Sequence, residues 1–253
     1  VHLDDSVRAF VQRATEPVGV GGREAPLARA PEDVGAEAMV GILREMVDEA
    51  GGPHKVLGIC VETLQERSGR AFDAESWEAL WTICKELDIP LLAFETASAF
   101  YRSGSQAFHV QHFSQTPDLM AWWGGGQTGY IHTNARYRVA APLAMVSTWD
   151  GDELSLVRDH FQLRAARKVE TASLVKGFEP ALKSLRDAGV KVRGRGLYHV
   201  IDAGARNQEL WETLHGQGLV LRRFSNGAMA LIPCLDTPQP VADALCAALE
   251  GAL

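Results

Sequence analysis

Lys55-Val56-Leu57-Gly58-Ile59-Cys60-Val61 is a short, nearly all-apolar run. Successive side chains of a strand point to opposite faces, so a half-exposed strand alternates apolar with polar residues. A run without that alternation reads as a strand buried on both faces. Downstream, Glu75–Leu87 places Trp77, Leu80, Trp81, Cys84 and Leu87 on one side of a helix. Pro90–Phe94 is a second buried strand, and Leu119–Trp123, Tyr130–Thr133 and Leu143–Ser147 are three further candidates. Strands that alternate with helices and are buried on both faces imply an α/β fold with a largely parallel sheet.

Upstream, Val34, Met39, Ile42, Leu43, Met46 and Val47 recur at helical spacing within Pro31–Ala50, and Gly51-Gly52 stops the helix. Residues 1–30 read as irregular: Arg8–Ala14 is compatible with a helix, but Pro17, Gly19, Gly21, Gly22 and Pro26 mark a long loop. The pattern changes after Trp149. A long helix is predicted over Asp152–Val169, with Asp152 near its start, and a second over Phe178–Ala188. Val192–Asp202 reads as a strand, Gln208–His215 as a helix, Leu219–Phe224 and Met229–Pro233 as short strands, and Pro240–Leu249 as a closing helix. The expected organisation is an N-terminal segment with one helix (1–54), a large-domain unit (55–160) and a small α+β unit (161–253).

The 253 residues are 46% hydrophobic and 23% charged, which suits a globular chain with a sizeable core. The formal charge of −7 comes without any basic block, so neither nucleic acid nor an anionic membrane surface is an expected partner. No apolar run approaches the roughly 20 residues that cross a bilayer, so membrane insertion is not expected. The first residues, Val1-His2-Leu3-Asp4-Asp5, carry no signal-peptide pattern. Cys60, Cys84, Cys234 and Cys246 are scattered in apolar contexts without zinc spacing, which reads as reduced thiols in a cytoplasmic protein.

Two motifs invite a sharper reading. Gly124-Gly125-Gly126-Gln127-Thr128-Gly129 matches the dinucleotide-binding pattern G-x-G-x-x-G literally. That chemistry needs a helix next, with its N-terminus facing the pyrophosphate. The following Tyr130-Ile131-His132-Thr133-Asn134 reads as strand, so a tight turn is the better reading. His109-Val110-Gln111-His112 has i,i+3 metal-like spacing but no supporting carboxylate or cysteine cluster, which favours a packed or surface histidine pair.

From residue 55 onward the order of motifs resembles the class-III aminotransferases, of fold type I among the pyridoxal-phosphate enzymes. Val56–Thr63 is similar to the family's "aaviVEPvq" strand. Leu91–Glu95 followed by Phe100-Tyr101-Arg102-Ser103-Gly104 resembles "LLIADEVQTGFGRTG". Thr116–Ala121 resembles "PDIvt", Val192–Leu197 matches "VRGRGL", and Gly218–Leu235 resembles the closing "Gvlv…RlxPPL" segment. Gln127 and Ser147-Thr148-Trp149 resemble the lysine ε- and 4-aminobutyrate-aminotransferase branch. The implied fold is a partial large domain with a mostly parallel sheet plus a small C-terminal α+β domain.

The resemblance assigns roles position by position, and the residues here depart from them. Counting seven residues on from Pro117 lands the Schiff-base lysine on Gly124, and no lysine lies between Lys85 and Lys168. A lysine amine forms the internal aldimine and later moves the α-proton; glycine can do neither. An ungapped register puts Phe94 at the aspartate that keeps the pyridine nitrogen protonated, and a one-residue gap would put Glu95 there instead. The glutamine beyond it becomes Ala97, and the substrate-carboxylate arginine becomes Ala230. Gln127, Ser147 and Thr148 remain as vestigial cofactor-side positions. The family's phosphate loop and ring-stacking aromatic have no counterpart in residues 1–54.

These departures imply a catalytically inactive, aminotransferase-like protein with a structural, assembly or partner-binding role and no cofactor. The resemblance also leaves open a component active only beside a complementary subunit. Thr148 would then reach the partner's cofactor phosphate, and pyridoxal phosphate would be bound. Either way a homodimer, or a heterodimer with an aminotransferase-like subunit, is the expected assembly. A third reading has Trp122-Trp123 lining or filling the vacated site.

Overall fold

The computed structural model describes residues 35–123, 128–141 and 152–252. The helix expected at Arg8–Ala14, the strand expected at Leu143–Ser147, and positions Gly124, Gln127, Ser147 and Thr148 lie outside the described residues.

Helix α1, Ala36–Glu49, buries Met39, Leu43, Met46 and Val47 along one stripe. It ends where Gly51 and Gly52 adopt φ of 93° and 101°, a left-handed backbone that glycine takes without a Cβ penalty. The apolar run at Lys55–Val61 is not one strand. Its first residue belongs to a 3₁₀ turn, Pro53–Lys55, and β1 spans Ile59–Glu62. Proline at the head of that turn fixes φ and lacks a ladder donor, so pairing starts later, and Leu57 stays 94% exposed on the connector.

Strand β1 pairs in parallel with β2, Leu91–Phe94, and β2 in parallel with β3, Leu119–Trp123. Strand β4, Gly129–Thr133, returns antiparallel beside β3, giving the sheet order β1-β2-β3-β4. Helix α2, Ala74–Glu86, links β1 to β2 and starts on the Asp73 side chain, which accepts the Ser76 N–H at 2.7 Å. One face of the sheet is fully packed: Ile59, Val61, Leu91 and Ala93 meet Leu43, Trp77, Leu80 and Cys84 of the two helices. On the opposite face Cys60 and Leu92 are half-buried while Glu62 and Phe94 at the strand ends are buried, so that face is less completely covered. Asp118, just ahead of β3, accepts the Leu91 N–H at 3.0 Å, Lys85 Nζ at 2.7 Å and Asn134 Nδ2 at 2.8 Å, and so ties β2, α2 and the end of β4 together.

The second half starts with α3, Glu153–Ala166, capped by Asp152, and α4, Ala172–Asp187. Helix α4 begins earlier than the expected Phe178. The Glu170 carboxylate accepts the Ala172 and Ser173 N–H groups at 2.9 and 3.2 Å, which starts the helix. Gly177 and Pro180 read as breakers in sequence, but buried Leu174, Phe178, Ala181, Leu182 and Leu185 hold the helix through them. The single strand expected over Val192–Asp202 is instead a hairpin: β5, Lys191–Arg195, and β6, Tyr198–Asp202, pair antiparallel around Gly196-Leu197. Gly196 at φ 64° supplies the reversal, a glycine signal that the single-strand reading passed over. Strands β7, Arg222–Arg223, and β8, Met229–Leu231, complete an antiparallel sheet in the order β5-β6-β8-β7. Helices α5, Asn207–Gly216, and α6, Gln239–Gly251, pack with α4 over a second apolar core that includes Phe178, Leu182, Ile201, Leu214 and Leu249.

Hydrogen bonds to main-chain carbonyls join the halves. Leu197 N–H donates to the Arg102 carbonyl at 2.7 Å, and Tyr198 OH donates to the Glu66 carbonyl at 2.8 Å. A Cβ on Gly196 would overlap the Arg102 carbonyl, and one on Gly69 would overlap the Arg193 carbonyl. Only glycine permits approaches this close. No helix among the described residues is long and apolar enough to cross a membrane.

Candidate functional site

Ligands of open α/β sheets bind beyond the carboxyl ends of the parallel strands, because the loops there can be shaped without disturbing the sheet. In this chain those ends lie level. Glu62 of β1 stands in register with Phe94 of β2, and Phe94 with Ala121 of β3.

The first residue past β2 is Glu95. Its side chain is fully buried and accepts the His109 N–H at 2.9 Å and the Val110 N–H at 2.8 Å, and the hydroxyl of Ser98 also donates to it. Both carboxylate oxygens are thereby committed to a backbone turn, the 3₁₀ segment His109–His112. Burial pushes the carboxyl above its ordinary range, although the Ser98, His109 and Val110 donors pull the other way. Thr63 Oγ1 sits 3.3 Å from Ser98 Oγ, so the ends of β1 and β2 are also linked through hydroxyls. Neither Ser98 nor Thr63 stands out in the sequence; only the spacing of a serine three residues after Glu95 hints at the bond.

Phe94 is buried at the end of β2 and offers no charge. Ala97 and Ala230 are distant in sequence, yet the fold brings them together in one apolar cluster with Leu64, Tyr198, Val200 and Ala228. That cluster lies between the end of the first sheet and the face of the second. Tyr198, buried within it, has its phenol pushed up by desolvation, with Glu66 adding in the same direction. The lysines of the chain, Lys55, Lys85, Lys168, Lys176, Lys183 and Lys191, all lie among the described residues and all are exposed.

The two tryptophans part company. Trp122 is buried, stacked on Tyr130 at 4.3 Å and edge-on to Phe100 at 5.2 Å. Because Phe94 is in register with Ala121, Trp122 packs on the face opposite Phe94, while Trp123 shares the Phe94 face and is 53% exposed. Phe100 and Tyr101 adopt φ of 61° and 62°, at the place where the family pattern reads Gly-Phe-Gly. Each such left-handed, non-glycine residue costs about 1 kcal/mol.

His109 and His112 place their rings 5.6 Å apart on the short turn. His109 is fully buried with Nε2 3.1 Å from the Phe72 carbonyl, and desolvation depresses it to about 4. Such a depressed imidazole is neutral near pH 7. Among the described residues no group of three or more His, Cys, Asp or Glu side chains is placed to hold a metal.

A family model described as aminotransferase class-III matches residues 22–253. No curated protein matches the chain in sequence. Among solved structures, a transaminase with L-ala superposes with a TM-score of 0.73 at 21% identity, over 86% of this chain and 58% of that one. The ornithine aminotransferase of Plasmodium yoelii gives 0.72 at 20% identity, over 84% and 60%. An omega-transaminase from Thermomicrobium roseum gives 0.73 at 18% identity, over 98% and 64%. The chain therefore spans about three fifths of the length of the solved structures it matches, and identities this low speak for the fold alone.

Proposed function

Because the chain belongs to the class-III aminotransferase family, we propose that it is a catalytically inactive member of it, whose fold serves as a scaffold for assembly or partner binding. The observation that carries this reading is that every lysine is solvent-exposed and Gly124 stands where the family's pattern calls for one. A Schiff-base lysine works from inside a closed site, where desolvation lowers its pKa and positions its amine.

The residues present do not fit pyridoxal phosphate held in the family's manner. The ring nitrogen needs a buried acid beside it; Phe94 has none, and both Glu95 oxygens are taken by the His109 and Val110 N–H groups and Ser98. Ala97 and Ala230 replace an amide and a guanidinium by methyl groups and add to an apolar cluster. An apolar cluster is a stable use of that space, whereas a charged cofactor placed against it would lose hydration without gaining partners. The test is a visible absorbance titration of the purified protein with pyridoxal phosphate, alongside a transaminase assay. Only the spectrum of free cofactor is expected. An aldimine band that disappears when one particular lysine is changed, accompanied by amino transfer, would overturn the reading.

A further inference from the structure

Where the β5–β6 hairpin meets the first half, three polar groups gather without an acceptor among the described residues. Ser103 is fully buried, and its hydroxyl has no hydrogen-bond partner. The same holds for Nε2 of His112, a buried atom of a half-buried ring. The two lie together: a Cβ on Gly104, the residue after Ser103, would stand 3.5 Å from that Nε2. Strand β5 brings the third group. Arg195 is in register with Tyr198, so its side chain leaves the sheet on the face that packs against the first half. Gly196, its neighbour, approaches so closely that a Cβ there would stand 2.8 Å from the Ser103 carbonyl carbon and 2.9 Å from the Gly104 nitrogen. Arg195 is exposed and makes no hydrogen bond or ion pair among the described residues. Its charge nonetheless reaches both imidazoles. Burial holds His112 below its ordinary range and Arg195 adds in the same direction, as it does at His109.

A buried polar group left unpaired costs about 1–3 kcal/mol, so two of them beside an unpaired guanidinium call for a ligand. A bridging water satisfies Ser103 and His112 but leaves the charge of Arg195 uncompensated. A metal cation is repelled by Arg195, and no third metal-binding side chain stands by among the described residues. We propose that Ser103, His112 and Arg195 form a site for a small tetrahedral oxyanion of the phosphate class. The guanidinium fork takes two oxygens, while the Ser103 hydroxyl and the His112 Nε2–H donate to the others. A neutral imidazole can carry its proton at Nε2, so His112 donates without being charged. His109 is not one of the donors: its Nε2 faces the Phe72 carbonyl and carries the proton, leaving Nδ1 an acceptor. The acid beside the site, Glu95, is turned to the His109 and Val110 N–H groups, and burial favours its neutral form, so it does not compete for Arg195. A planar carboxylate offers only two oxygens in one plane, whereas these donors come from three separate segments and suit a tetrahedral ion.

The site is independent of whether the protein catalyses anything, and an oxyanion titration and an aldimine band fail separately. The experiment follows the histidine ring resonances of the full chain by NMR as inorganic phosphate is added up to about 20 mM at constant ionic strength, made up with potassium chloride. His112→Gln assigns the His112 signal. That signal is expected to shift saturably, with a dissociation constant on the order of 1 mM. Arg195→Gln should weaken binding about tenfold or more, and Arg195→Lys less, because the charge stays and the fork is lost. Ser103→Ala should weaken it about fivefold. Lys168→Gln, which removes an exposed charge elsewhere, should leave it unchanged. Far-UV circular dichroism confirms that each variant is folded. Glycerol phosphate binding at least as tightly as inorganic phosphate assigns the site to the phosphoryl group of a larger molecule. Tighter binding of the inorganic ion assigns it to free phosphate; either result supports the proposal. No saturable shift, as when water alone fills the site, overturns it. So does an equal shift with chloride, or binding unchanged by Arg195→Gln.

Discussion

At the scale of the residue, the buried acid and the buried imidazole beside it decide most. Glu95 satisfies the His109 and Val110 N–H groups where no water reaches them, so removing it leaves buried donors unpaired. Glu95→Ala is expected to cost about 3 kcal/mol in urea denaturation. Glu95→Gln, with one acceptor oxygen for two backbone donors, should fall between. A wild-type midpoint for the alanine variant would show that the carboxylate is not what holds this turn. His109 gives a pH dependence whose sign is set by its depression to about 4. The group is neutral when folded and ionises near 6.5 when unfolded. Its contribution is therefore complete above about pH 6.5 and is lost as pH falls toward 4, by about 3 kcal/mol over the window. Replacing it by glutamine, His109→Gln, should flatten the stability profile between those limits relative to wild type; parallel profiles would refute the assignment. The carboxyl of Glu95, shifted upward, acts in the opposite sense in both proteins and so drops out of the comparison. The identity of these residues was plain in the sequence, but their partners were not, because a backbone N–H fourteen residues away leaves no trace in composition.

At the scale of the element, periodicity located helices α1, α2, α5 and α6 and strands β2, β3 and β4 to within a few residues, and in the case of α1 to within five. Those segments carry strong patterns bounded by glycine, proline or a capping acid. It misplaced the start of β1 and of α4, and it fused β5 with β6. In each case a backbone constraint outweighed the side-chain pattern: a proline turn, a glutamate cap, a glycine reversal. Helix α3 was located correctly, but which way it faces depends on the Asp159–Tyr130 bond, which no moment along the helix predicts. The β5–β6 reversal gives a sharp test. Gly196 combines φ of 64° with contact to the Arg102 backbone, so Gly196→Ala meets both conformational strain and overlap with main-chain atoms that cannot swing aside. It should destabilise the protein by about 3 kcal/mol or more, whereas Gly189→Ala, with φ of 79° but open space around it, should cost about 1 kcal/mol. Equal melting-temperature losses in the two variants would mean that the contact with Arg102 does not matter.

At the scale of the whole molecule, two cores are bridged by a third, small apolar cluster and by hydrogen bonds from the Leu197 N–H to the Arg102 carbonyl and from the Tyr198 hydroxyl to the Glu66 carbonyl. Halves joined by a shared apolar cluster and hydrogen bonds to main-chain carbonyls should unfold together. Tryptophan fluorescence, to which Trp77, Trp81 and Trp122 of the first half contribute, should trace the same thermal transition as far-UV circular dichroism, to which the helices of the second half contribute. Two separated transitions would show that the halves are independent. The sequence by itself determined the α/β class, the order of strands and helices apart from the β5–β6 hairpin, the family, and the identities at positions 94, 95, 97, 124 and 230. All of these are written in residue type and local spacing, which the chain carries whether folded or not. Only the tertiary structure decided that Ala97 and Ala230 share one apolar cluster, that Glu95 is spent on a turn, that Trp122 and Trp123 face opposite sides of the sheet, and that α3 leaves Leu154, Val157 and Phe161 exposed. Those facts depend on which surfaces meet across long stretches of chain, and burial, unlike periodicity, is a property of the neighbour as much as of the residue.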